Sequence, residues 1–149
     1  MAWASTIPTV LAALTTALED LDNVTVSNGV PVQAPTGDGL IIGYSGPDDP
    51  TAVTGTMVRE AFVALPSHER YTVSCRIEAT AADTDMPTAQ ARTLELFASV
   101  GGVLAADPRL GGLVNWAQPE AFTLFQAQSP RGAFAVLQFG IDVDAHTTT

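Results

Sequence analysis

Between Asp83 and Gly112 the chain reads Asp83-Thr84-Asp85-Met86-Pro87, then an apolar-periodic run to Ala106, then Asp107-Pro108-Arg109-Leu110-Gly111-Gly112. Small or apolar residues at Ala89, Leu96, Phe97, Val100, Val103 and Leu104 keep the three-and-four spacing of one helix face. Asp85 is a good N-cap, and Pro87 is tolerated in a first turn whose N–H groups have no partner inside the helix. The ring of Pro108 disfavours helical geometry at Asp107, which ends the helix, and Gly111-Gly112 permits a tight reversal into the next strand. A helix of this length spans about 30 Å, enough to cross a small sheet. Gly101-Gly102 inside it is read as close packing against that sheet, at a cost of about 1 kcal/mol per glycine.

On the N-terminal side of this helix, Glu69 to Ala81 alternates strictly. Tyr71, Val73, Cys75, Ile77 and Ala79 point one way, and Thr72, Ser74, Arg76, Glu78 and Thr80 the other, as in a strand with one face on a core. Leu40 to Tyr44, bounded by glycines, reads as a buried strand, and Val24-Thr25-Val26 as a short one ending in a Ser27-Asn28-Gly29 turn. The stretch from Ser45 to Thr56 reads as a loop rich in Gly, Pro and Asp, and Met57 to Leu65 leans to strand. The opening helix runs from Ile7 to about Leu21, with Ile7, Val10, Leu11, Leu14, Leu18 and Leu21 on one face and Ser5 or Thr6 as cap.

On the C-terminal side, Leu113 to Ala117 and Ala121 to Gln126 read as strand interrupted at Pro119. Ser129 to Gly132 is a turn, and Ala133 to Asp144 the last strand, with 145–149 expected to fray. The last strand carries Ala135, Leu137, Phe139, Ile141 and Val143 on one face and begins the other with Phe134 and Val136. The order predicts an α+β fold: a mostly antiparallel sheet with two helices packed on one face, in a single domain spanning 1–149. One helix layer covers one side of a sheet. Phe122, Phe125, Phe134 and Val136 on the other side therefore need a second cover, either another subunit or a loop of the same chain.

Composition excludes several classes of function. The 149 residues carry a net charge of -10, all six basic residues are Arg, and Lys is absent. Such a chain has no electrostatic footprint for gripping phosphates. Cys75 is the sole cysteine, so neither an internal disulfide nor a thiolate cluster can form, and its place in the inward phase of a strand makes it a buried hydrophobe. No apolar run reaches the roughly 20 residues that span a bilayer, and the apolar N-terminus lacks a basic n-region, so no membrane partner and no signal peptide are expected. Gly43-Tyr44-Ser45-Gly46 begins like a nucleophile elbow but continues with Pro47, and the two histidines, His68 and His146, offer no triad by position. Asp48-Asp49 and Asp83-Thr84-Asp85 lack the spacing of a calcium loop. No Walker or dinucleotide motif is present. No cofactor, no metal and no enzymatic activity are expected, and Trp116 is read as half-buried at a sheet edge, with a binding anchor as the alternative.

The whole order of elements resembles the tail terminator (tail completion) proteins of long non-contractile-tailed phages of actinobacterial hosts. The resemblance runs through the helix from Ile7-Pro8 to Leu21, the strand and Gly/Pro/Asp loop, and Tyr71-Thr72-Val73-Ser74-Cys75 leading to Asp83-Thr84-Asp85-Met86. It continues through Ala89 to Ala106, closed by Asp107-Pro108-Arg109-Leu110-Gly111-Gly112, and the strand bearing Trp116. It covers nearly the whole chain through soft motifs. It implies a structural virion protein, made in the host cytoplasm and placed at the head-proximal end of the tail. Such a protein forms a homo-hexameric ring that caps the tail tube, ends its polymerisation and docks it to the head–tail connector protein. Its partners would be itself, the major tail tube protein and the connector, with DNA passing through the lumen without specific binding. Under this resemblance Trp116, Phe122, Phe125, Phe134, Val136 and Arg109 would serve ring or tube contacts, and Asp48 and Asp49 would face the lumen or the tube. The runner-up is another neck, connector or tail tube ring protein; a small hydrolase or ligand-binding module stands third.

Overall fold

The computed structural model describes residues 4–30, 37–58, 67–81, 85–130 and 132–147. Its elements follow in the order α1 (Ile7–Leu18), β1 (Val24–Asn28), β2 (Asp38–Ile42), β3 (Val53–Val58), β4 (His68–Ala81), α2 (Met86–Ala106), β5 (Trp116–Ser129) and β6 (Gly132–His146). The strands form one sheet in the order β1-β2-β4-β6-β5, with β3 also paired to β4. Among the described residues only β1 and β2 run parallel. The fold is therefore α+β, a mostly antiparallel sheet under two helices, and it forms one domain.

The inward phase of β4 and β6 meets both helices. Tyr71, Val73, Cys75 and Ile77 join Leu137, Phe139, Ile141 and Val143 in one cluster with Val10, Leu14 and Leu18 of α1 and Leu96, Val100 and Leu104 of α2. Shared burial of both helix stripes in that cluster places α1 and α2 on the same face. Asp85 caps α2 as its position predicts, accepting from Thr88 N at 3.3 Å and Thr88 Oγ1 at 2.7 Å. Beyond α2 the chain turns through Gly111 and Gly112, both at positive φ (69° and 93°). Cys75 is fully buried, and burial pushes its thiol up to about 12, an inert core group.

β2 and β3 lie end to end along the same edge of β4. β2 pairs with Cys75 to Glu78 and β3 with His68 to Val73. The intervening loop, 43–52, leaves the sheet at Ser74, whose carbonyl accepts from Gly43 N and Tyr44 N and whose N–H donates to the Ala52 carbonyl.

Several expectations need correction. α1 ends at Leu18, and Leu21 follows in a turn closed by its N–H to the Leu18 carbonyl. Strand begins at Val53, inside the expected loop, and the remainder of the ambiguous stretch, 59–65, lies outside the described residues. Leu113 to Asn115 is a turn, and β5 starts at Trp116. Pro119 does not interrupt β5; the strand absorbs it in a bulge between Pro119 and Phe122. Residues 145–147 do not fray: Ala145 is buried, His146 pairs with His68, and Thr147 N donates to the Ser67 carbonyl at 2.8 Å. β6 extends that far because β4 offers it partners down to its first residue. The glycines of α2 are not a close-packing device. A methyl on Gly101 would stand 3.9 Å from Pro119, an ordinary contact, and one on Gly102 would meet nothing within 4 Å.

Candidate functional site

The sheet face turned away from the helices gathers most of the residues singled out by sequence. β6 sends Phe134, Val136 and Gln138 to this side, β4 sends Arg76 and β5 sends Phe125, in register as Phe125↔Val136 and Arg76↔Gln138. Loop 43–52 leans over them. The Ser45 carbonyl accepts from Arg76 Nη1 at 3.1 Å and from Gln138 Nε2 at 2.6 Å. Gly46 presses so closely that a Cβ there would stand 3.0 Å from the Gln138 amide nitrogen. Between loop and hairpin lies a cavity of about 240 Å³ lined by Asp48, Arg76, Phe125, Phe134, Val136 and Gln138, among others. Two groups that were separate in the sequence, the aromatic patch and the acidic loop, thus meet.

The loop reading is realised in part. Val136 is only 4% exposed, so it offers no surface to a partner, whereas Phe125 remains 48% exposed. Arg76 is held by Glu78 (Nε to Oε1, 2.6 Å) as well as by the loop. Asp48 and Asp49 are exposed, and Asp49 is tied within its own loop. Hydrogen bonds from Thr51, through side chain and backbone, hold the Asp49 carboxyl below its ordinary value.

Phe122 does not lie on this face. The bulge inserts one residue into β5, so odd residues (Ala117, Pro119) face the helices before it and even residues (Phe122, Leu124) after it. Phe122 sits opposite Phe139 and packs its ring 5.4 Å from Phe97 of α2 at the edge of the helix layer, 56% exposed. Arg109 is also elsewhere. It lies exposed in the turn after α2, where its carbonyl accepts from Gly112 N and Val114 N.

Trp116 is half-buried at the far end of β5, as expected, with the Arg70 guanidinium 5.1 Å above its ring. There the open face is polar and internally matched. Arg70 pairs with Asp142 at 2.9 Å, His68 Nε2 with Asp144 at 2.8 Å, and Asn115 Nδ2 donates to Asp144 at 2.8 Å and meets His146 Nδ1 at 3.1 Å. Burial works against ionisation of Asp144, but the hydrogen bonds from Asn115 and His68 and the charges of His68 and Arg70 outweigh it. Its carboxyl therefore lies below the ordinary value.

The elements of a hydrolytic site do not converge. Ser45 Oγ donates to the Asp49 carbonyl, beside Gln138 in the middle of β6, while His68 and His146 pair at the C-terminal end of that strand. Among the described residues no group of three or more His, Cys, Asp or Glu is placed to hold a metal ion, and no helix is long and apolar enough to cross a membrane. Asp83 and Thr84 lie outside the described residues.

Sequence reasoning missed one buried polar site. Glu69, 2% exposed, sits under the N-terminus of α1, where its carboxylate accepts from Thr6 N (2.7 Å), Thr6 Oγ1 and Ser5 Oγ (2.9 Å). Thr6 Oγ1 also meets the Tyr71 hydroxyl at 2.9 Å. Burial foremost, aided by the Glu69 charge and opposed by the Thr6 hydrogen bond, pushes the Tyr71 hydroxyl up to about 12. The signal was present in the strand phase, since Glu69 shares the inward side with Tyr71 and Val73. No protein-family model matches the chain, and no curated protein aligns with it significantly.

Proposed function

We propose that this protein is a structural component of a phage virion, a tail terminator. Copies of the chain form a ring that caps the tail tube, ends its growth and offers a surface to the head–tail connector. The observation that carries this reading is the state of β5. It is a 14-residue outer strand bearing Phe122 and Phe125, 56% and 48% exposed, on opposite sides. Large aromatics left in water on both sides of an outer strand are the mark of an assembly surface. Support also comes from the element order shared with the resembled family and from the internal pairing of the polar groups on the open sheet face, which leaves them to structural work. In this reading the protein is not an enzyme. Its surplus of acid, including Asp48 and Asp49, repels DNA phosphates and lets the genome pass through the lumen without sticking.

Size-exclusion chromatography with light scattering, followed by negative-stain electron microscopy, tests the reading. The expected result is a closed ring, six-fold by the resemblance, that blocks further growth when added to tail tubes. A monomer that persists at high micromolar concentration and ignores tubes refutes it. Open-ended stacks of rings would instead identify a tube subunit.

A further inference from the structure

We propose that β5 of one copy pairs antiparallel with β1 of a second copy, so that the sheet runs on from subunit to subunit. The inference rests on the self-association proposed above and names the surface that carries it. β1 and β5 are the terminal strands of the sheet path, and among the described residues β1 and the 121–127 part of β5 have no hydrogen-bond partner on their outward edges. A bare edge is a template for another strand, and monomeric proteins blunt it with charge, proline or a bulge. β5 uses all three in its first part, through Pro119, Glu120 and the bulge. From Phe122 to Ala127 it reads Phe-Thr-Leu-Phe-Gln-Ala and uses none. β1, Val-Thr-Val-Ser-Asn, is equally bare. On a chain of net charge -10 these uncharged edges are where two copies meet without setting acid against acid.

The register makes the two edges complementary. Val26 pairs with Leu40, Leu40 with Ile77, Ile77 with Leu137 and Leu137 with Leu124, so Val26 and Leu124 lie level at opposite borders of the sheet. β1 runs opposite to β4 and β5 runs along it, so the border strands are antiparallel. Setting a second copy beside the first therefore brings β1 against β5 in antiparallel sense, with both helix layers on the same side. Val26 then faces Leu124 on the helix side, and Thr25 faces Phe125 on the open side. β3, whose outward edge also has no partner among the described residues, lies level with Pro119 through Val73 and Ile141, which is the protected part of β5. The contact joins two different edges, so repetition closes a ring or continues, whereas β5 against β5 would stop at a dimer.

Cross-linking tests this, because Cys75 is buried and introduced thiols report alone. Thr25→Cys and Phe125→Cys are prepared separately, checked for native circular dichroism, mixed and oxidised. Ser27→Cys with Thr123→Cys forms a second pair, two residues along. Directly opposed strand residues fall within disulfide reach. The expected result is a cross-linked dimer in at least one mixture and none in any variant alone. Cross-linking of Phe125→Cys or Thr123→Cys with itself, or none at all while the wild type scatters as a multi-subunit particle, overturns the pairing and leaves the ring standing. A wild type that is monomeric by light scattering overturns both.

Discussion

Replacing Glu69 by alanine should loosen α1 from the sheet. The carboxylate is 2% exposed and accepts from Thr6 N, Thr6 Oγ1 and Ser5 Oγ. Thr6 is the N-cap of α1, yet its side chain makes no capping bond within the helix. Glu69, 63 residues away, takes the role that a glutamate three positions into a helix plays in a capping box. Losing a helix cap costs about 0.5–2 kcal/mol. Hydrogen bonds to a charged group are worth about 1.5–3 kcal/mol, and leaving the buried Thr6 donors unmatched adds to the loss. These contributions overlap, so the total should be about 3–5 kcal/mol, a large share of the roughly 5–15 kcal/mol that holds a domain folded. For a chain of this size that is a fall in melting temperature of about 6–20 °C. Thr6→Ala, which spares the backbone donor but loses the hydroxyl bond to the carboxylate, should cost about 1.5–3 kcal/mol. Urea titration followed by circular dichroism gives the free energies, and amide exchange shows where the loss falls: Val10, Leu11 and Leu14 should exchange faster, while β4 and β6 keep their protection. A Glu69→Ala variant within 1 kcal/mol of wild type, or α1 amides with unchanged exchange, would refute the reasoning.

Gly102→Ala should stabilise the protein by about 1 kcal/mol, since the site is exposed, helical and open on the side a methyl would occupy; a raised urea midpoint checks it. Gly55→Ala should do the reverse, costing about 1–3 kcal/mol. A Cβ there would stand 2.4 Å from Tyr71 Cβ and 2.6 Å from the Arg70 carbonyl, so β3 must shift or lift off, seen as a lower midpoint and faster exchange from Val53 to Val58. Asp144 has a lowered pKa when folded, so its stabilisation is fully present above the ordinary carboxylate value near pH 4 and is lost as pH falls through the lowered one. Asp144→Asn should therefore be less stable at pH 7 and lose less on acidification than wild type, measured as melting temperature against pH.

Both helices, the alternation of β4 and β6, the Asp85 cap and the stop at Pro108 were legible in the order of residues alone. These are local matters, since a period of two or 3.6, a capping oxygen and a proline ring act within a few residues. That order did not carry which strands are neighbours. β2 and β3 became one interrupted border of β4, and loop 43–52 was thrown across the open face, through hydrogen bonds between residues tens of positions apart. Phase through a bulge was likewise hidden. One inserted residue after Pro119 carried Phe122 to the helix side and left Phe125 beside Asp48, which no spacing in β5 alone reveals. The inward phase of Glu69 was legible, but its purpose was not. A buried carboxylate is acceptable only where donors reach it, and those donors, Ser5 and Thr6, stand 64 and 63 positions earlier and arrive only when the sheet and α1 come together.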